Sequence, residues 1–400
     1  MKFTYNHTTY ACYLSSTTSA VINNFAPLLF VAFTTRFGIS LNQLSYIIIL
    51  NFGIQMFVDF FGAKYVDRIG YRTSLILAHI MSALGLVLLG TLPYVLPAYS
   101  GILISVLCYA IGSGLLEVLT SPTIEALPSN KSKEKAMSLL HSFYCWGSVL
   151  VVCLSTLYFR LCGIENWRYL CFLWAILPLI AIFLFSKVPI VPFGNEAHHI
   201  AFGEIFKHSL FWIFASLMLC SGAAELAMSQ WASLFAEKGL GVSKTFGDLL
   251  GPCFFAVMMG IARALYGKYG DKLNLVVALL ISGFITISGY ILSSLSPDPV
   301  VSLMGCGVCG FGVAIMWPGI LSLAAKHYPE GGTAIFGLLA MSGDIGCWIG
   351  PFAVARVSSY FSIMGSELKA GLLFSSVFPF FMILSIFFLM KVLKERTNNR

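Results

Sequence analysis

Charge is what this sequence has least of: Asp, Glu, Lys and Arg together make up 10% of its 400 residues, against about a quarter in a soluble chain of this size. That scarcity excludes an ordinary water-soluble protein of two or three domains. Also missing is G-x-x-x-x-G-K-[ST], so ATP is not expected to drive whatever the chain does. H-E-x-x-H and G-x-S-x-G are absent too, and His198 and His199 are adjacent only in a polar stretch, so neither an enzyme nor a bound cofactor or metal is expected.

Hydrophobic residues fill that space, at 58% of the chain and a mean hydropathy of +0.86. Windows such as "YLCFLWAILPLIAIFLF" (169–185) contain no charge at all and approach the roughly 20 apolar residues that cross a bilayer. The reading is an all-α, multi-pass membrane protein with the lipid bilayer as its first partner. The opening "MKFTYNHTTYACYLS" has no small-residue cleavage site, so the first span is expected to be retained. Nearly all 11 cysteines fall inside apolar spans, where Cys acts as a small hydrophobe, and no disulfides are assigned. Cys306 and Cys309 form a C-x-x-C within "GCGVCGFG", which reads as a small-residue helix-packing surface.

Apolar windows bounded by charge, Pro or Gly give twelve spans. Six lie near 9–33, 42–64, 74–92, 99–127, 137–160 and 168–188. Six more lie near 209–236, 245–267, 273–294, 299–326, 332–359 and 368–391. The expected organisation is an N-terminal six-helix bundle (1–188), a linker (189–208) and a C-terminal six-helix bundle (209–400). With both termini inside, most of the 24 Lys and Arg fall in inner segments. The positive-inside bias therefore puts both ends and the linker in the cytoplasm of a cell membrane, with a bacterial inner membrane as the expected setting, and accounts for the net charge of +7 without nucleic acid.

Several of the scarce charges gather between spans two and three, in "FFGAKYVDRIGYRTSLILA" (60–78). A second loop, "ARALYGKYGDKLNL" (262–275), joins spans eight and nine, and Asp67-Arg68 match Asp271-Lys272 at an offset that also pairs Ala63 with Gly267. "GSGLLE" (112–117) in span four similarly matches "GVAIMW" (312–317) in span ten. A duplicated half is the simplest account, and parallel halves related about the membrane normal characterise one large transporter fold.

The first of these loops resembles the signature of the major facilitator superfamily, G-x-x-x-D-R-x-G-x-[RK]-[RK], through Asp67, Arg68, Gly70 and Arg72, with Ala63 in place of the leading Gly. The resemblance implies two pseudo-symmetric six-helix bundles that rock about a central cavity. An acid and a base at a helix end can pair in one conformation and release in another. Asp67, Arg68, Gly70 and Arg72, with Gly267, Asp271 and Lys272, are thus expected to form a cytoplasmic latch between halves; the alternative is a purely topogenic positive loop.

In "GSGLLEVLTSPTIEALPSNKSKEKAMSLLHSFYCWGSVL" (112–150), Glu117 lies deep in span four, where a carboxylate is costly and marks a functional site. No Lys or Arg is expected deep in any span, so Glu117 is read as a group that takes and releases a proton, or else as a permanently protonated structural acid. The stretch also resembles the fucose permease-like sugar:proton symporters, through Glu117 and Pro122, then His141, Phe143, Tyr144 and Gly147. That resemblance implies Glu117 as a proton or sugar ligand, with His141 and Tyr144 as polar groups of the cavity. Where span one of the sugar permease carries an acid before L-L-P, this chain has Asn23 and Asn24 ahead of "FAPLLF".

Glu225, Gln230 and Trp231 in span seven and Asp344 in span eleven complete the candidates. Glu225 and Asp344 have no evident cationic partner and could hold substrate, a proton or Na⁺. Trp231 and Trp317 offer faces for a sugar ring, or simple packing. Asn51, Gln55 and Asp59 share one face of span two and read as a hydrogen-bonded seam feeding the latch, and His79 reads as a packing residue. The expected protein is a monomeric secondary transporter that imports a sugar or other small polar solute with H⁺. A proton-driven exporter of cationic or amphipathic compounds and a non-transporting solute sensor are the alternatives.

Overall fold

The computed structural model describes residues 3–128, 133–191, 202–269, 273–328, 332–363 and 365–398. Among them regular structure is helical, apart from one isolated bridge between Ile363 and Ser366. In the first half, α1 runs Tyr5–Leu28 and continues, after a 41° bend, as Phe30–Phe37; α2 is Leu41–Ile69, α3 Tyr71–Leu89, α4 Ala98–Ala126, α5 Lys133–Cys162 and α6 Trp167–Lys187. In the second, α7 is Ser209–Ser229 and extends to Gly239, α8 is Phe254–Tyr269 led in by residues 244–253, and α9 is Leu275–Leu295. Helix α10 has two segments, Pro299–Val313 and Met316–His327; α11 is Gly332–Ser358, and α12 joins Glu367–Ser375 to Val377–Asn398. Eleven of these are long and apolar enough to cross a membrane, and bent α1 is the twelfth.

Local chemistry sets the helix starts. Ser40 and Gln43 form a reciprocal capping box at α2, the Asn274 side chain accepts from the Val276 and Val277 amides at α9, and Asp298 does the same for α10 with Pro299 in the first turn. Gly70, with φ of 91°, turns α2 into α3 where a side chain would strain the backbone.

Within the first half α3 packs on α4 and α6, and α1 on α5; within the second α7 packs on α11, and α9 on α10. The halves meet mainly through α2 against α11 and α5 against α8. Small residues allow the closest approaches. A Cβ on Gly346 or Gly350 of α11 would collide with the α7 backbone at Leu219 and Ala223. "GCGVCGFG" works in the same way, with Gly305 and Gly312 against the α9 backbone and Cys306 and Cys309 fully buried. Outward-facing residues such as Leu173, Ile176, Ile180 and Phe183 on α6 leave an apolar surface suited to lipid.

The Thr8 hydroxyl donates to the Pro189 carbonyl at 2.6 Å, so the start of α1 lies beside the exit from α6. We refer to this end of the bundle as the linker end.

Candidate functional site

Two prolines prepare the centre of the molecule. Pro27 in α1 has no N–H for the carbonyl of Asn23 four residues back, and Pro318 in α10 leaves the carbonyl of Ala314 equally unpaired. Side chains of the second half fill both vacancies. Gln230 Nε2 donates to the Asn23 carbonyl at 3.0 Å, and Arg263 Nε donates to the Ala314 carbonyl at 2.9 Å. Broken helices whose freed backbone groups line a cavity are a recurring solution for polar sites within a membrane.

The cavity between the halves measures about 130 Å³. Asn23, Glu117, His141 and Tyr144 line it from the first half, and Glu225, Arg263, Trp317 and Asp344 from the second. Glu117 and Trp317, matched by the internal repeat, thus face the same space. Arg263 corrects two expectations. The sequence groups it with the loop stretch 262–275, and no Lys or Arg is expected deep in a span, yet it lies within α8 and is buried at 6% exposure. It also supplies the cationic partner that Glu225 was expected to lack, with Nη2 3.9 Å from Glu225 Oε2. Its Nη1 donates to the His141 carbonyl at 3.3 Å and to Cys145 Sγ at 3.0 Å, which ties α8 to α5.

A second cluster joins three helices. Carboxyl oxygens of Asp59 on α2, Glu117 on α4 and Asp344 on α11 lie within 4.8 Å of one another. Asp59 therefore belongs to an acidic group beside the cavity rather than to a seam running toward the latch. Asn51 and Gln55 do form a hydrogen-bonded seam, both donating to Asn23 Oδ1 at 3.0 and 3.2 Å. Three negative charges that close inside a protein are strongly repulsive, so the cluster requires protons or a cation to persist.

Other candidates fall elsewhere. Asn24 points at α5, where its amide donates to Ser148 Oγ at 3.1 Å, so Asn23 is the asparagine of the cavity. Trp231 is wholly buried, packs near Phe30 and donates to the Pro351 carbonyl at 3.1 Å, which removes it as a stacking platform. His79 is buried with Nε2 3.2 Å from Ser15 Oγ, a packing role. Arg72 corrects the latch: its guanidinium donates to the Phe185 and Val188 carbonyls at 2.5 and 2.8 Å, within the first half rather than between halves, where it satisfies the carboxyl end of α6. Asp67 and Arg68 sit in the last turn of α2, Gly70 turns the chain, and Gly267 is exposed on α8. Asp271 and Lys272 lie outside the described residues.

A further polar tie between halves lies at the opposite end, and sequence reasoning missed it. Asp248 accepts from Ser233 at 2.5 Å and Lys244 at 2.7 Å within the second half, and from Thr156 of α5 at 3.3 Å across the interface.

Fold and site together define a transporter of alternating-access architecture. The sequence matches the Major Facilitator Superfamily over residues 11–351, and the chain belongs to that family. Among solved structures it is similar to the E. coli fucose:proton symporter FucP (TM-score 0.69, 16% identity, covering 95% of this chain and 98% of that one). It is also similar to the E. coli xylose transporter XylE in a partially occluded inward-open conformation (TM-score 0.75, 16% identity, 96% of each chain). Such identities establish the fold alone. Curated relatives include the membrane protein MosC of Rhizobium meliloti, 23% identical over 258 residues (64% of this chain), and the probable nitrate transporter NarT of Staphylococcus epidermidis, 30% identical over 109 residues (26% of this chain). Those alignments span 61% and 27% of the relatives' own lengths.

Proposed function

We propose that this transporter imports a sugar or another small polar solute together with protons, across a cell membrane with both termini and the 189–208 linker in the cytoplasm. The observation that carries the reading is the juxtaposition of a polar cavity with a three-carboxyl cluster, two of whose members, Glu117 and Asp344, line it. Asn23, Tyr144 and the Glu225–Arg263 pair offer donors and acceptors to hydroxyls, and Trp317 offers an apolar face. Glu117 carries the proton, and Asp59 and Asp344 make its protonation depend on how closely α2 and α11 approach, because repulsion among the three rises as they converge. FucP and XylE, named as a fucose:proton symporter and a proton:xylose symporter, support the solute class by fold likeness.

Arg263 favours one second reading. It is a buried cation on the cavity wall, so a small anion is the alternative solute, in keeping with the name of NarT. The same residue weighs against a cation exporter.

The test is a thermal-shift screen of the purified protein against neutral sugars, sugar alcohols, nucleosides, small anions and organic cations, repeated with Glu117→Gln. A ligand of the native state raises apparent stability by mass action. Stabilisation by a sugar that changes with pH in the wild type and not in the variant supports the proposal. Stabilisation by anions alone selects the second reading, and stabilisation by cations alone sinks both. A solute sensor would bind in the screen and fail to accumulate solute in vesicles.

A further inference from the structure

Two cysteines from different halves meet at the end opposite the linker. Cys153 of α5 and Cys253, at the entry to α8, place their sulfurs 3.5 Å apart. They are 100 residues apart in sequence, and each lies nine residues inside the opposite-end limit of its span, Cys162 and Lys244, so about 13 Å deep by the rise of a helix. One turn nearer that end, Thr156 and Asp248 form the polar tie described above. The pair therefore sits in the part of the α5–α8 interface that is closed here.

We propose that Cys153 and Cys253 are an oxidation site at which a single disulfide locks the two halves shut at this end. A disulfide sulfur–sulfur bond is about 2.05 Å, so the sulfurs must approach by roughly 1.5 Å, within the reach of side-chain rotation and a small helix shift. The reaction is a two-electron oxidation. With an azodicarboxamide as oxidant, one thiol adds across the N=N bond and the second thiol displaces the hydrazine. The S–S bond forms, both S–H bonds break, and both protons and both electrons end on the two nitrogens. Burial of Cys253 restricts the site to oxidants that enter the membrane, because large charged reagents do not reach it.

The consequence follows from topology. In alternating access the end that is closed in one state must open in the other. A covalent bond between α5 and α8 at that depth forbids the opening while leaving the linker end free to move. No other cysteine pair in the described residues offers this chemistry across the halves at such a distance: Cys306 and Cys309 share one helix, and a bond between them would leave the halves independent.

The inference rests on the alternating-access reading but needs no solute to test. A protease site is placed within the 189–208 linker, and the purified protein is treated with diamide, cleaved and run on a non-reducing gel. The expected result is that the halves stay joined, separate on addition of dithiothreitol, and separate without it in Cys153→Ser and, independently, in Cys253→Ala. Amide hydrogen exchange is then followed over residues 230–253. It should slow by roughly tenfold or more on oxidation in the wild type and not in either variant. Halves that separate after diamide overturn the oxidation site. Halves that stay joined with unchanged exchange overturn the lock, and in neither case is the solute reading affected, since that is decided by the thermal-shift screen.

Discussion

Arg263 is held by three acceptors, two backbone carbonyls and a thiol, and faces Glu225 at a distance that leaves the pair loose. Removing the cation leaves Glu225 buried without compensation, so Arg263→Met is expected to cost about 3–5 kcal/mol of stability. The double variant Arg263→Met/Glu225→Met should recover most of that loss in denaturation midpoints, whereas solute binding should stay lost. Asn23 acts differently, since its side chain accepts from both Asn51 and Gln55. Asn23→Ala strands two buried donors and should cost about 1–3 kcal/mol of stability, read from denaturation midpoints. The sequence marked Asn23, Glu117, Glu225 and Asp344 because polar groups are rare within its spans. It hid Arg263 because that residue opens the charged stretch 262–275 and reads as part of a loop, although Pro318, four residues after Ala314, is the signal that a carbonyl in α10 needs a donor. Asp248 stayed hidden because Thr156 and Ser233 lie 92 and 15 residues from it in sequence; only Lys244, four residues before it, falls within a local pattern.

The helices themselves were largely legible. Expected spans at 42–64, 99–127 and 332–359 correspond to α2 (Leu41–Ile69), α4 (Ala98–Ala126) and α11 (Gly332–Ser358), because hydropathy and the length of a crossing constrain them strongly. Interruptions escaped the hydropathy pattern, although Pro27 and Pro318 stand beside both: α10 stops at Val313 and resumes at Met316, and α1 bends after Leu28. Hydropathy cannot register a break that changes no residue's polarity. Packing between helices can be probed by a matched pair of substitutions. Gly346 faces the α7 backbone at Leu219, whereas a Cβ added to Gly53 on α2 would meet nothing within 4 Å. Gly346→Val should abolish monodisperse, folded protein on size exclusion, and Gly53→Ala should be tolerated with an unchanged or slightly higher melting temperature. Equal behaviour of the two variants would mean that the α7–α11 contact is less tight than described.

At the scale of the whole molecule, two halves enclose one cavity and are tied beside it by Gln230 with the Asn23 carbonyl and Arg263 with the His141 carbonyl, and at the end opposite the linker by Asp248 with Thr156. Breaking the second tie with Asp248→Asn should favour the alternate conformation, read as faster hydrogen exchange at residues 230–253 without loss of fold. The architecture was foreseeable from six spans, a linker and six spans, but the direction in which the halves lean was not, since it depends on cross-half contacts that carry no sequence period. The central proposal concerns coupling, namely that solute moves with protons through Glu117, which lines the cavity and lies against Asp59 and Asp344. The most direct test is uptake by proteoliposomes of a sugar found in the thermal-shift screen, driven by an imposed inward proton gradient, in the wild type and in Glu117→Gln. The account predicts accumulation that a protonophore collapses and that Glu117→Gln lacks while still exchanging solute in counterflow. Accumulation that survives the protonophore, or that Glu117→Gln performs as well as the wild type, would contradict it.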